Sequence, residues 1–186
     1  HEIRAPVTAI SGFTEQLLHE ADDEKAIKTL GIIKTSADHL SRIINDILDF
    51  SKLQNNKLIL ENVHFNIKKL MDEVYSLFER EAMQNSTSLS YSLSFSTPAI
   101  LLGDPYRLKK IMINLLSNSI KFTAKGKVHF SVDSLSKGKG EIELIMVFTD
   151  TGIGIEESKM NMIFEDFTQA EMSTTRKYGG TGLGLS

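Results

Sequence analysis

Several stretches of this chain have the residue types and spacing of chemistry rather than of packing. Asn114, Asn118 and Lys121, in "NLLSNSIKF", recur at spacings of four and three and so share one face of a helix. Amide oxygens suit a Mg²⁺ that arrives on a phosphate and keeps several of its waters, and a lysine supplies a point charge for phosphate. The competing reading is a solvated polar stripe. Against it, Leu115, Leu116, Ile120 and Phe122 leave little of this helix wet, so the polar face is expected to line a cleft and to fit a nucleotide. "DTGIGI", residues 150–155, follows an apolar strand. Asp150 there either caps a helix starting near Glu156 or accepts the exocyclic amine of adenine, a charge-assisted bond worth roughly 1.5–3 kcal/mol. Gly152 and Gly154 would let the base lie against main chain.

The chain opens on "HEIRAP". Its first helix directs His1 away from the helical core, on one face with Ala5, Thr8 and Gly12. His1 is either an ordinary surface residue or a nucleophile, with Glu2 orienting one imidazole nitrogen and accepting its proton. Pro6 removes one helical hydrogen bond and invites a bend beside that site. Near the other end, Phe164 and Phe167 precede a long stretch rich in Ser, Thr and Gly. The pair reads as core anchors, or as the hinge side of a mobile lid from which Arg176 and Lys177 reach phosphates. The closing "KYGGTGLGLS" reads as a turn or linker, or as backbone stripped of side chains to admit a ligand.

The elements that must position these groups are legible from periodicity. Ile3, Val7, Ile10, Leu17 and Ala21, then Ala26, Leu30, Ile33, Ala37, Leu40, Ile44 and Ile47, form a seam on each of two helices. "ADDEK" supplies the turn, with Asp22 or Asp23 as N-cap, and "QNNK" the stop. Phe13, Leu18, Ile32, Ile43 and Leu48 widen each apolar arc beyond a two-helix contact. A second hairpin is therefore expected, giving a four-helix bundle by dimerisation. After it "KLILENVHF" reads as a strand, 67–85 as an amphipathic helix and "TSLSYSLSF" as a half-buried strand. Asp104 and Pro105 open a further helix. "KVHFSVDSL" and "EIELIMVFTD" form a hairpin around Gly-Lys-Gly. The fold class is thus α+β, with an antiparallel or mixed sheet and helices on one face.

Composition narrows the classes. The 186 residues, 41% hydrophobic and 24% charged, are enough for a small module plus one compact domain. A net charge of −3 leaves no basic footprint for nucleic acid. With no cysteine there is neither a disulfide framework nor a thiolate metal site. No run of eighteen apolar residues occurs, so no membrane contact is expected of these residues.

In this order the motifs resemble those of the sensor histidine kinases of two-component signalling. They are an H-box at His1 to Pro6, an N-box from Asp104 to Thr123, a first glycine box at Asp150 to Ile155, a phenylalanine box at Phe164 to Phe167 and a second glycine box at Gly180 to Leu185. The closing "STTRKYGGTGLGLS" is particularly similar to hybrid-type kinases. The resemblance implies a dimerisation and phosphotransfer hairpin over 1–53, a linker at 54–58, and over 59–186 an ATP-binding α/β sandwich of the gyrase and chaperone type. It implies further helix before His1, and a sandwich incomplete at its C-terminus. It further implies that Asn118 is the principal Mg²⁺ ligand, with Asn114 and Lys121 near the phosphates and Asp150 on adenine. Gly180, Thr181, Gly182, Leu183 and Gly184 would sit against the triphosphate of ATP, with the N–H groups of Gly182 and Gly184 at a helix start where anions are favoured.

On this likeness the γ-phosphoryl of ATP passes to a ring nitrogen of His1 and then to an aspartate of a response-regulator receiver domain, a transfer governed by alignment and charge neutralisation. The segment near "LQNNKL" would be the hinge that lets histidine and nucleotide meet. The resemblance also implies a cytoplasmic location, as the cytosolic portion of a membrane-anchored bacterial sensor. Phosphatase-competent members carry Thr or Asn four residues after the phosphoacceptor. Ala5 has no such polar group, which implies inefficient dephosphorylation of the partner. Other classes consistent with some of the motifs are a catalytically weak dimeric ATP-binding module and an ATPase of the chaperone or mismatch-repair type.

Overall fold

A computed structural model describes residues 4–55 and 58–160. These residues fall into two compact units, the first running to Ile59 and the second starting at Leu60.

The first unit is a hairpin of α1 (Arg4–Glu20) and α2 (Glu24–Gln54). Asp23 is the N-cap of α2, its carboxylate accepting from Ala26 N at 2.9 Å. Val7, Thr14 and Ala37 are buried between the helices. A polar layer crosses the same interface: the Ser11 hydroxyl donates to Asp38 at 2.9 Å, and Lys34 lies 3.4 Å from Asp38 and 3.8 Å from Glu15. The seam read from the sequence divides in two. Val7 and Ala37 face the other helix, but Ile10, Leu17, Ile33, Leu40 and Ile47 are 41–50% exposed. The small residues allow close approach of the helices, and the larger apolar side chains are turned outward with Phe13 and Ile32.

The second unit is α/β. A short antiparallel pair joins β1 (Val63–Asn66) to β3 (Ile100–Gly103), with Val63 opposite Gly103 and Asn66 opposite Ile100. The strand expected from Lys57 therefore begins only at Val63, because a four-residue partner limits the ladder. Next comes a three-stranded mixed sheet in the order β2 (Ser88–Leu93), β4 (Lys127–Gly138), β5 (Glu141–Asp150), with β2 parallel and β5 antiparallel to β4. The parallel pair needs a crossover, supplied by β3 and α4 (Pro105–Phe122). The β4–β5 turn carries positive φ at Gly138, Lys139 and Gly140.

One face of this sheet is the core face. Alternate residues Val128, Phe130 and Val132 are buried there with Met112, Leu116 and Ile120 of α4. Ile67, Leu70, Met71, Val74, Phe78 and Ala82 of α3 (Ile67–Gln84) join them at helical spacing. Tyr91, Phe130 and Phe148 occupy paired positions on the three strands, and their rings stack at 5.4 and 5.8 Å. On the other face His129 bridges the hydroxyls of Ser90 (2.9 Å) and Ser92 (3.0 Å). No helix among the described residues is long and apolar enough to cross a membrane.

Asp104 ties α4 to the segment before β1. Its carboxylate accepts from Arg107 N at 3.0 Å and from Glu61 N at 3.1 Å, and pairs with Arg107 Nε at 3.1 Å. The Arg107 N–H, then the Glu61 N–H and the Arg107 charge, hold this carboxyl below the usual carboxylate range. A depressed folded-state value contributes stability that is complete above the unfolded value and is lost as pH falls through the folded one. Asp104→Ala should therefore lower the urea midpoint at pH 7, and the gap between variant and parent should close on acidification.

Candidate functional site

Two of the elements that carry candidate residues meet where the C-terminal end of α4 abuts the loop after β5. Helix α4 begins on the Asp104 cap with Pro105 in its first turn, and ends at Phe122 with Thr123 as the extended C-cap. Met112, Leu116, Ser119 and Ile120 form its buried side. Asn114, Asn118 and Lys121 are half-buried beside that stripe. Burial holds the Lys121 ammonium below the usual lysine range. Its Nζ lies 5.1 Å from the centre of the Phe122 ring.

Strand β5 delivers Asp150, opposite Val128, at its last position. The chain then turns back on itself. Asp150 Oδ1 accepts from Gly152 N at 2.9 Å, so the carboxylate shapes its own loop and is not the cap of the short 3₁₀ turn Glu157–Lys159. Thr151 is fixed at both ends: its N–H donates to Lys127 O at 3.0 Å, and its hydroxyl accepts from Lys127 N at 2.9 Å. Ile153 N donates to Phe122 O at 3.3 Å, which pins the loop to the end of α4.

Gly152 lies in the tightest part of this junction. A Cβ there would stand 2.5 Å from Phe122 O and 2.9 Å from both Asp150 Oδ1 and Thr123 Oγ1. Gly126 is equally constrained, since its Cβ would collide with Thr151 Oγ1 and the Thr123 methyl. Gly154 has open space but a φ of +70°, a conformation that L side chains adopt at a cost. Asp150, Gly152 and Ile153 are thus joined with Phe122 at the end of α4 in one hydrogen-bonded corner.

His1, Glu2, Phe164, Phe167, Arg176, Lys177, Gly180, Thr181, Gly182, Leu183 and Gly184 lie outside the described residues. In the hairpin, Ala5, Thr8 and Gly12, the residues expected to share a face with His1, are solvent-exposed. Sequence reasoning missed Thr123, Gly126 and Thr151. Thr123 and Thr151 fall within the N-box and the first glycine box without being singled out there, and Gly126 reads as an ordinary turn.

Comparison with known proteins accounts for both units. Residues 1–56 match the model of the His Kinase A phospho-acceptor domain. Residues 103–186 match that of the histidine kinase-, DNA gyrase B- and HSP90-like ATPases. The chain is 38% identical over 185 residues to the signal transduction histidine-protein kinase BarA of Escherichia coli strain K12, which covers all of this chain and 20% of that protein. It thus spans about a fifth of that relative's length. Among solved structures, full-length ShkA in complex with AMPPNP superposes with a TM-score of 0.79 at 28% identity, over 100% of this chain and 37% of that one. Histidine kinase ThkA in complex with the response regulator protein TrrA superposes with a TM-score of 0.55 at 28% identity, over 95% of this chain and 51% of that one. A phosphoacceptor hairpin followed by an ATPase-type α/β unit, in one chain and in this order, makes it a member of the sensor histidine kinases of two-component signalling.

Proposed function

We propose that this chain is an ATP-dependent kinase core that phosphorylates its own His1 and passes the phosphoryl group to an aspartate of a response-regulator receiver domain. The observation that carries the proposal is the corner built from Phe122, Thr123, Asp150 and Gly152, with the half-buried Lys121 next to it in sequence. Its Asp150 carboxylate is an acceptor suited to an exocyclic amine, and Lys121, the residue before Phe122, is a cation suited to phosphate. The ShkA complex with an ATP analogue supports the nucleotide. The ThkA–TrrA complex supports the receiver-domain partner.

The parts divide the work. Residues 1–53 form the phosphotransfer hairpin, 54–58 the linker and 59–186 the ATP-binding domain. Glu2 orients the His1 imidazole and takes its proton as the ring nitrogen attacks the γ-phosphorus; the bond to the bridging oxygen breaks and ADP leaves. Asp150 holds the base, Lys121 and Asn114 the phosphates, and Gly180 to Gly184 would supply backbone N–H groups to them. Asn118 is the protein ligand to Mg²⁺. A half-buried neutral amide suits an ion that enters with phosphate oxygens and water rather than one caged by protein. When bound, Mg²⁺ supplies charge neutralisation of the phosphates. The outward apolar stripe of the hairpin supports a homodimer, and the family supports a cytosolic position behind a membrane anchor.

The test is incubation with γ-labelled ATP and Mg²⁺. The expected result is an acid-labile, base-stable label that is absent from His1→Gln while that variant still binds nucleotide. Label persisting in His1→Gln overturns the proposal. Binding without label would identify an interaction module, and phosphate release without a phosphoenzyme a chaperone-type ATPase. Under the same conditions Ala5→Thr should accelerate loss of phosphate from a phosphorylated receiver partner, because it restores a hydroxyl one helical turn from His1.

A further inference from the structure

We infer that Thr151 is a positioning residue for base recognition: its hydroxyl takes the place of its own carbonyl in the β4–β5 ladder and so turns the chain beside Asp150 onto the end of α4. The inference rests on the nucleotide reading above and assigns a further residue to it.

Strands β4 and β5 pair in register as far as Val128 and Asp150, so the next facing residues are Lys127 and Thr151. In a regular antiparallel ladder two facing residues exchange both main-chain bonds or neither. Here one bond is regular and the other is not. Thr151 N donates to Lys127 O at 3.0 Å, but Lys127 N donates to the Thr151 hydroxyl at 2.9 Å. The side chain thus satisfies the first donor of β4, and the chain after Thr151 is released from the sheet. Strand β5 ends at Asp150, and the chain bends at Gly152 and Ile153. Ile153 N then donates to Phe122 O at 3.3 Å, and Asp150 Oδ1 accepts from Gly152 N at 2.9 Å. In a continued ladder Gly152 would instead face Gly126, away from the end of α4.

Gly126 makes room for this hydroxyl. It lacks the positive φ that by itself calls for glycine. Space accounts for it instead: a Cβ there would collide with Thr151 Oγ1 and stand 2.7 Å from the Thr123 methyl. The hydroxyl can therefore reach Lys127 N only because residue 126 has no side chain. Valine at 151 would have the shape of threonine and a preference for strand, but no acceptor. The Lys127 N–H would then be met best by the carbonyl of residue 151, which lengthens the ladder by one residue and draws Gly152 away from Phe122 O. The Asp150 carboxylate, bonded to Gly152 N, would move with it.

The experiment compares the unaltered chain with Thr151→Val, Thr151→Ser and Gly126→Ala, measuring Kd for ATP with Mg²⁺ by calorimetry and amide hydrogen exchange without nucleotide. Thr151→Val should bind ATP about three- to tenfold more weakly, the range of one neutral hydrogen bond. In the same variant the Ile153 N–H should exchange faster, while Phe130, in the middle of the sheet, exchanges as before. Gly126→Ala should reproduce both effects by displacing the hydroxyl, and Thr151→Ser, which keeps the acceptor, should restore both. The inference is overturned if Thr151→Val binds ATP as the unaltered chain does, if Thr151→Ser fails to restore affinity, or if affinity falls while exchange at Ile153 is unchanged, the mark of packing or of a direct contact. Failure of the unaltered chain to bind ATP would overturn the nucleotide reading and the base-positioning role with it, and exchange at Ile153 tells that outcome apart from failure of the turn itself.

Discussion

Gly152→Ala is expected to weaken ATP binding by about ten- to a hundredfold, the loss of one hydrogen bond to a carboxylate, and to destabilise the α/β unit by about 1–3 kcal/mol. The cause is local and steric. The added methyl would lie 2.5 Å from Phe122 O and 2.9 Å from Asp150 Oδ1, and neither is the loose end of a flexible side chain. Phe122 O accepts from Ile153 N, and Asp150 Oδ1 accepts from Gly152 N itself. Relief therefore requires the loop to lift off the end of α4, which breaks the first bond and displaces the carboxylate proposed to hold the base. Gly12→Ala is the matched control, since a Cβ at Gly12 meets nothing within 4 Å and the residue lies inside α1. That change should stabilise the hairpin by roughly 0.5–1 kcal/mol. Calorimetry for affinity and urea unfolding for stability check both variants. Unchanged ATP affinity in Gly152→Ala would remove Asp150 from the base site.

The contrast between these glycines bears on what could be read from residues alone. Helix starts were legible because their chemistry is local: Asp23 and Asp104 accept from the N–H three residues on, and Pro105 needs no donor of its own. The alternation of Val128, Phe130 and Val132 likewise announces a strand with one buried face. What could not be read depends on contacts far apart in sequence. Strand β3 is too short to show a period, and it exists because Leu101 and Leu102 find Phe65 and His64 across the ladder. The expected strand at 57–65 shrank for the same reason. In the site, Asp150, Gly152 and the N-box helix were visible as motifs, and the helical phase placed Asn114, Asn118 and Lys121 on one side of α4, where each is half-buried. Thr123 and Gly126 were not visible as site residues. Their roles come from the way the α4 terminus, the 123–126 turn and the β5 loop close on one another. The heptad pattern in the hairpin was right in period but wrong in partner, since periodicity fixes which residues share a face and not what covers that face.

That uncovered face yields the second large effect. Ile10 and Leu17 are seven residues apart on α1, and Ile33, Leu40 and Ile47 repeat at seven on α2, all 41–50% exposed within one hairpin. A strict seven-residue repeat of large apolar side chains is the pattern of helices that pack side by side with another helix pair. Fully burying one such side chain contributes roughly 1.5–3 kcal/mol, and a twofold partner buries every position twice. The hairpin's own interior offers little against this, because its buried apolar residues among those described are Val7 and Ala37. Its stability is therefore expected to be tied to association, with a Tm that rises with protein concentration. Leu17→Glu combined with Leu40→Glu would force four carboxylates into the centre of such a bundle, where desolvation without a partner cation is prohibitive. The expected outcome is a sedimentation mass half that of the parent, a Tm for the hairpin independent of concentration, and unchanged ATP affinity, since neither residue belongs to the α/β unit. A parent chain that sediments as a monomer, or a double variant that stays dimeric, would show that this face is covered by something other than a second copy.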